Sequence, residues 1–286
     1  MPDLAASRRA PSERGAEVSD PIHELPERFR QTRAMSEHLA RPLSAEDQAV
    51  QAMDDASPTK WHLAHTAWFF ETFILTRFQP GYRAYDQHFA YLFNSYYEGA
   101  GPRHPRPDRG MLTRPAVDEV LSYRHHVDAA MNALLAVGDG VSGTEVADLV
   151  ELGIQHEQQH QELLLTDILN LFSRNPLRPA YCADPRRSPA VEATALQWRE
   201  FEGGVGRVGY GRNGFCYDNE TPRHEVLVHP FRLASRPATN AEWLSFMEDG
   251  GYQRPELWLS DGWAMVQSEG WLAPLYWERR EEHRYA

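Results

Sequence analysis

The segment "SRNPLRPAYCADPRRSPA", residues 173–190, sets the tightest limit on how this chain can fold. Its prolines, Pro176, Pro179, Pro185 and Pro189, each remove a backbone donor and fix φ. Neither a helix nor a central strand can run through it. The sequence obeys different periods on its two sides. Upstream, segments near 26–41, 58–77, 115–137 and 144–173 carry apolar residues at three- and four-residue intervals, the spacing of helices. Ser57 is placed to cap the second of these, with Pro58 at its first helical position; Thr144 can cap the fourth. Four such helices are the parts of a bundle. Downstream, short alternating runs (Glu225 to Val228, then Phe231 to Ala234) are broken by Gly, Asn and Pro, and read as strands. The expected class is α plus α+β: a disordered tail over 1–22, a helical bundle over 23–174, a linker over 175–192 and a second domain over 193–286.

Charge narrows the function classes. The 286 residues hold 41 acidic and 29 basic side chains, a net charge of -12. A nucleic-acid surface needs a basic face to neutralise phosphates, so that class is excluded. Two cysteines, Cys182 and Cys216, are too few for a disulfide framework and fit a reducing compartment. The first twenty residues lack the apolar run of a signal peptide, and no stretch approaches eighteen consecutive apolar residues. A cytoplasmic protein with no membrane partner is expected.

Two motifs invite functional readings. Gly204 to Gly209 satisfies G-x-G-x-x-G, but a dinucleotide site needs a helix to begin at the third glycine. Here the next residues are "YGRNGFCYDN", so a glycine-rich strand and turn is expected. The other motif is the His-Glu-x-x-His pentad in "LGIQHEQQHQELLLTD". On a helix His156 and His160 share a face, within an apolar stripe of Leu149, Gly153, Leu163, Leu164 and Leu171. Two imidazoles aimed into a core are costly unless satisfied, and a metal satisfies both. A zinc protease would need a third ligand downstream, where this chain has neither the required Gly and His nor an adjoining helix. The third ligand is sought upstream, in "KWHLAHTAWFFE". His65 shares a face with Trp61, Trp68 and Leu75, and His62 one with Phe69 and Phe73. Both faces are apolar, so periodicity does not choose between them. The pair His125 and His126 is a further option. Three histidines without cysteine suit iron, zinc or nickel and leave positions open for chemistry.

Three stretches together, "SPTKWHLAHTAWFFETF", "FNSYYEGAGPRHPRPDRGMLTRP" and "GIQHEQQHQELLLTDI", resemble the iron(II)-dependent sulfoxide synthases of ergothioneine biosynthesis (EgtB). The resemblance spans about residues 26–280. It implies a DinB-like four-helix bundle followed by a formylglycine-generating-enzyme-like (sulfatase-modifying-factor) domain. It implies Fe(II) held by His65, His156 and His160. It implies use of O2 to join a thiol sulfur, from cysteine rather than gamma-glutamylcysteine, to the imidazole carbon of hercynine. Tyr96 and Tyr97 match the branch in which a tyrosine pair beside the iron assists oxygen activation. Arg103, Arg106, Arg109 and Arg114 follow in an otherwise acidic chain, and an arginine fork suits a substrate carboxylate. Of these, Arg103, Arg106 and Arg109, with Gln159 beside the metal face, are the expected substrate-binding residues. Glu157 is read as structural, and Asp167 as a partner to a ligating imidazole. Family members continue beyond "LYWERREEHRYA", so an unfinished second domain is expected, with exposed apolar surface and a partner supplying the remaining segment. Two other functions share these motifs: a selenoneine synthase of the same architecture, and a DinB-type metal-binding or thiol-transferase protein with a degenerate second domain.

Overall fold

The computed structural model describes residues 24–95, 99, 101–136, 145–182, 194–211, 214–280 and 284–285. It divides into two compact units between Asp184 and Pro185. Tyr96, Tyr97 and Thr144 lie outside the described residues.

The first unit is built on four helices, α1 (Leu25–Ala40), α2 (Thr59–Phe70), α3 (Val117–Leu135) and α4 (Glu145–Arg174). α1 carries proline in its first turn, where no intrahelical donor is lost. α4 has Glu145 and Asp148 in its first turn and Arg174 in its last, the charge order that its dipole favours. α2 is the central helix. All twelve of its residues are buried, as expected of a helix that neighbours cover on every side. It continues through a π-type turn, Glu71–Leu75. There the Glu71 carboxylate accepts from Tyr82 at 2.6 Å and from Tyr123 at 2.8 Å. The core around α2 is aromatic and aliphatic, with Phe29, Trp68, Phe70, Ile74, Tyr123, Met131 and Ile154 all essentially inaccessible.

α2 starts one residue later than its sequence suggests. Pro58 occupies the N-cap position, and Ser57 does not cap. Its backbone N–H donates to Asp167 Oδ2 at 2.9 Å and its hydroxyl accepts from Arg109 Nη1 at 2.9 Å. Tertiary partners outcompete the local cap. Leu163 also departs from its expected inward stripe. It is 44% exposed, because the face of α4 near the histidines opens onto a cavity. Gly153 shows how close α4 comes to α2: a Cβ there would stand 2.5 Å from Phe70 Cε1.

One buried ion cluster crosses the unit. Glu157, fully buried on α4, accepts from Arg33 Nη1 of α1 at 2.8 Å, Arg124 Nη2 of α3 at 3.0 Å and Ser36 Oγ at 2.6 Å. Arg33 Nε also reaches Asp128 at 2.6 Å, and Arg124 Nη1 donates to Leu63 O and Thr66 Oγ1 of α2. Burial alone would push the Glu157 carboxyl upward. The two guanidiniums and the Ser36 hydroxyl outweigh it and hold the group down at about 2.

The second unit contains β1 (Trp198–Phe201), β2 (Gly204–Val208), β3 (His224–Val228) and β4 (Phe231–Ala234). Antiparallel pairing sets β2 against β3 and β1 against β4, with Gly206 opposite Val226 and Glu200 opposite Arg232. The G-x-G-x-x-G stretch is therefore strand β2, with Gly209 at φ 105° just after it, and no helix begins there. Two helices come later in the chain, α5 (Asn240–Glu248) and α6 (Ser260–Glu269). Thr239 and Glu242 form a reciprocal capping box on α5, as the T-x-x-E spacing favours. Among the described residues of this unit, Gly251, Tyr252 and Val266 are buried; Leu227, Leu233 and Leu275 are at least 59% exposed. No helix among the described residues is long and apolar enough to cross a membrane.

Glu157→Ala removes the carboxylate that Arg33 and Arg124 share in the core, leaving Arg33 with Asp128 alone and Arg124 with the more distant Glu37. Breaking these buried pairs should cost about 3–5 kcal/mol, read as a lower denaturant midpoint for the helical unit. A loss below roughly 1 kcal/mol, the scale of a surface pair, would show that the cluster does not hold the helices together.

Candidate metal centre

Three imidazoles meet where α2 and α4 face each other. His65 comes from the middle of α2; His156 and His160 come from successive turns of α4. One ring nitrogen of each lies within 4.8 Å of the others, and the ring centroids are 4.6–4.9 Å apart. His65 Nε2 and His156 Nε2 stand 3.2 Å apart. The helical period accounts for the convergence: i, i+4 spacing stacks the α4 pair, and the close approach at Gly153 brings α4 up to α2.

His65 is held on every side. Trp61, one turn earlier, stacks on its ring at 4.6 Å and 13°, and Trp68 stacks at 5.4 Å and 15°. Its Nδ1 lies 2.6 Å from Phe93 O, so Nδ1 carries the proton and Nε2 presents a lone pair. His62 does not join the three. It lies behind His160, its Nδ1 2.8 Å from His160 Nδ1 and its Nε2 2.9 Å from Asp167 Oδ2. The expected pairing of Asp167 with a ligating imidazole thus takes an indirect form, through His62. His125 and His126 are exposed on α3, beside Glu37 and Arg83 O, away from the cluster.

The electrostatics favour a cation. Burial lowers His65 well below the usual histidine range, with positive charge on His156 acting in the same direction. Burial, then His65 and His62, lowers His160 likewise. Burial brings His156 to about 4, against a smaller upward pull from Glu157. Three neutral, close-set imidazoles are what a divalent ion needs and what a proton does not favour. The donor set fits a metal of the iron, zinc or nickel type. It does not serve a protease. The glutamate of the pentad is locked into the Arg33 and Arg124 cluster, where it cannot act as a general base on water at the histidines.

The histidines form the floor of a cavity of about 830 Å³, whose walls include Ser57, Trp61, Arg106, Arg109, Gln159 and Thr166. Gln159 is exposed to it, as its place beside the metal face suggests. The arginines separate. Arg109 is buried, its guanidinium 3.4 Å from the Trp61 ring centroid and its Nη1 on Ser57 Oγ. Arg106 lines the cavity and donates to Asp55 O. Arg103 is exposed and donates to Ser95 O at 2.8 Å; neither it nor Arg114 is among the lining residues. Trp61 was not among the expected site residues, although its i, i+4 spacing from His65 signals their stacking; His62, weighed as an alternative ligand, takes a place behind His160 instead. A separate cleft of about 1010 Å³ in the second unit is walled by aromatics such as Trp243, Trp258 and Trp271, and among the described residues its titratable wall residues are tyrosines.

Residues 28–164 match the DinB superfamily, and the helical unit with its three-histidine pocket is a domain of that class. The chain's curated relatives are EgtB-like proteins, and the chain is similar to them over part of their length. It is 38% identical to the hercynine oxygenase of Mycolicibacterium thermoresistibile over 46% of this chain and 30% of the relative. It is 32% identical to that of Mycobacterium tuberculosis over 77% of this chain and 50% of the relative. It is 26% identical to the ergothioneine biosynthesis protein 1 of Neurospora crassa over 54% of this chain and 18% of the relative. The chain thus spans half or less of the length of these relatives.

Acid should destabilise the metal-free chain. An unfolded histidine takes up its proton near pH 6.5, roughly the reference value, whereas folded His156 does so only at about 4. Between these the unfolded state binds more protons, so stability present at neutral pH is lost as pH falls. The melting temperature should drop between about pH 6.5 and 4, and His156→Phe should flatten the drop. A flat profile in the wild-type chain would mean that these imidazoles are not buried.

Proposed function

We propose that this chain carries the metal centre of an Fe(II)- and O2-dependent sulfoxide synthase that joins the sulfur of cysteine to the imidazole carbon of hercynine. The observation that carries the reading is the convergence of His65, His156 and His160 in a chain whose relatives are named hercynine oxygenases. In this reading residues 23–174 are the metal-binding bundle, 175–192 the linker and 193–286 part of a formylglycine-generating-enzyme-like domain. Two free cysteines suit a reducing cytoplasm.

Bound Fe(II) would supply open coordination positions and the redox chemistry of O2 activation. The chain's own residues do the rest. Trp61 and Trp68 fix the plane of His65, so the donor nitrogens are ordered before any ligand arrives, which reduces the cost of binding. Arg109, held over the Trp61 ring, and Arg106 offer guanidinium groups to a substrate carboxylate at the cavity wall. Gln159 offers an amide donor and acceptor next to the histidines. Arg103, held on Ser95 O, serves the substrate through the loop that carries it. Tyr96 and Tyr97 come directly after Ser95, and a phenol protonated at neutral pH can donate a proton or hydrogen atom where phenylalanine cannot.

Oxygen uptake tests this. Loaded anaerobically with Fe(II), the protein should consume O2 only when hercynine and cysteine are both present, with cysteine preferred over gamma-glutamylcysteine. Replacing Tyr96 and Tyr97 together by Phe should keep substrate binding and divert product toward simple thiol oxidation. Stoichiometric metal without O2 uptake in the presence of both substrates would contradict the reading and favour a DinB-type metal-binding or thiol-transferase protein.

A further inference from the structure

His62, buried, and Asp167, half-buried, lie beside the three histidines but outside their set, and their hydrogen bonds run in one direction only. Asp167 Oδ2 accepts from the Ser57 backbone N–H at 2.9 Å and lies 2.9 Å from His62 Nε2. A carboxylate oxygen can only accept, so His62 carries its proton on Nε2. In a neutral imidazole the other nitrogen is then a lone pair. His62 Nδ1 is 2.8 Å from His160 Nδ1, and that bond forms only if His160 donates from Nδ1. The remaining nitrogen of His160, Nε2, is left as the one with a free lone pair.

We propose that Asp167 and His62 are a positioning relay that fixes His160 as its Nδ1–H tautomer, reserving Nε2 for the metal. The proposal rests on the reading of the three histidines as a metal centre. His65 reaches the same state by a shorter route, through Phe93 O. The two routes differ in what holds them. Phe93 O is a backbone group that no substitution removes, whereas the relay to His160 depends on two side chains. A neutral imidazole with the wrong tautomer places N–H where a ligand needs a lone pair, so the relay sets how readily a cation is bound. The carboxylate end is itself fixed. Ser57 sits at the N-terminal edge of α2, only a few residues before His62, so the Asp167 bond ties α4 to the start of the helix that carries the relay.

The full 286-residue chain gives two readouts. In the metal-free protein at pH 8, above the ordinary imidazole range, nitrogen-15 spectra of the histidine rings should show His160 as the Nδ1–H tautomer. In competition titrations with Co(II) alone, His62→Phe and Asp167→Leu should each lose roughly 10–100-fold in affinity, the scale on which partners of metal-bound histidines act. His62→Asn, whose amide oxygen can stand near the position of Nδ1, should stay within about threefold of wild type on that scale. Melting of the metal-free variants shows whether each is folded. An Nε2–H tautomer at His160 in the wild-type chain would overturn the proposal. So would Co(II) affinity in folded His62→Phe equal to wild type, or a loss in His62→Asn as large as in His62→Phe. If the wild-type chain binds no Co(II), the metal-centre reading fails, and the tautomer signal still decides the relay.

Discussion

The architecture of the first unit turns on a carboxylate that has no access to water. Glu157 lies at the centre of the bundle with Arg33 of α1, Arg124 of α3 and, through Arg124, the Leu63 carbonyl and Thr66 hydroxyl of α2. Buried ion pairs are poor sources of net stability compared with apolar packing. What they impose is geometry, since a guanidinium accepts few arrangements around a carboxylate. Every helix of the bundle contributes to this one cluster, so their rotations about their own axes are fixed together. Rotating α4 by a quarter turn would expose the charge and turn His156 away from His65.

The site inherits that rotation. Glu157 is the residue directly after His156 in the chain, and the two project from α4 in different directions, one into the ion cluster and one toward α2. The same spacing that resembles a zinc protease thus serves a different division of labour, in which the glutamate holds the helix and the histidines face the cavity. Around them the constraints are mostly aromatic. Trp61 connects two of the parts, stacking on His65 and carrying the Arg109 guanidinium close to its ring. Arg109 in turn holds Ser57, whose backbone holds Asp167. The metal-facing histidines and the cavity wall are therefore one packed assembly rather than a cluster set into a neutral scaffold.

The helical half of the chain was legible because its signals are local. Apolar spacing placed the four helices to within two residues once the π-type turn to Leu75 is counted with α2, and i, i+4 placed His156 and His160 together. The choice between His62 and His65 was not legible, because α2 is buried on every face and its periodicity carries no direction. Only the position of α4 separates a residue that meets both α4 histidines from one that lies behind His160. Ser57 reads as a helix cap by composition and is captured instead by Asp167 and Arg109, partners distant in sequence. Among the arginines, net charge marked the segment 103–114 but could not say that Arg109 turns inward onto Trp61 while Arg103 stays exposed. In the second unit two strands, His224–Val228 and Phe231–Ala234, lie where the alternation put them, while their pairing with β2 and β1 carried no sequence signal. The glycine-rich stretch of β2 was separable from a dinucleotide loop because the residues directly after it, "YGRNGFCYDN", do not have the character of a helix start.

The central claim is that His65, His156 and His160 together bind one metal ion. X-ray absorption at the iron edge of the Fe(II)-loaded chain addresses it directly, because imidazole rings give a multiple-scattering pattern that carboxylates and water do not. The account predicts three imidazoles in the coordination shell, falling to two in His65→Ala with His62 unchanged. A shell with fewer than three imidazoles in the wild-type protein, or one unaffected by His65→Ala, would contradict it.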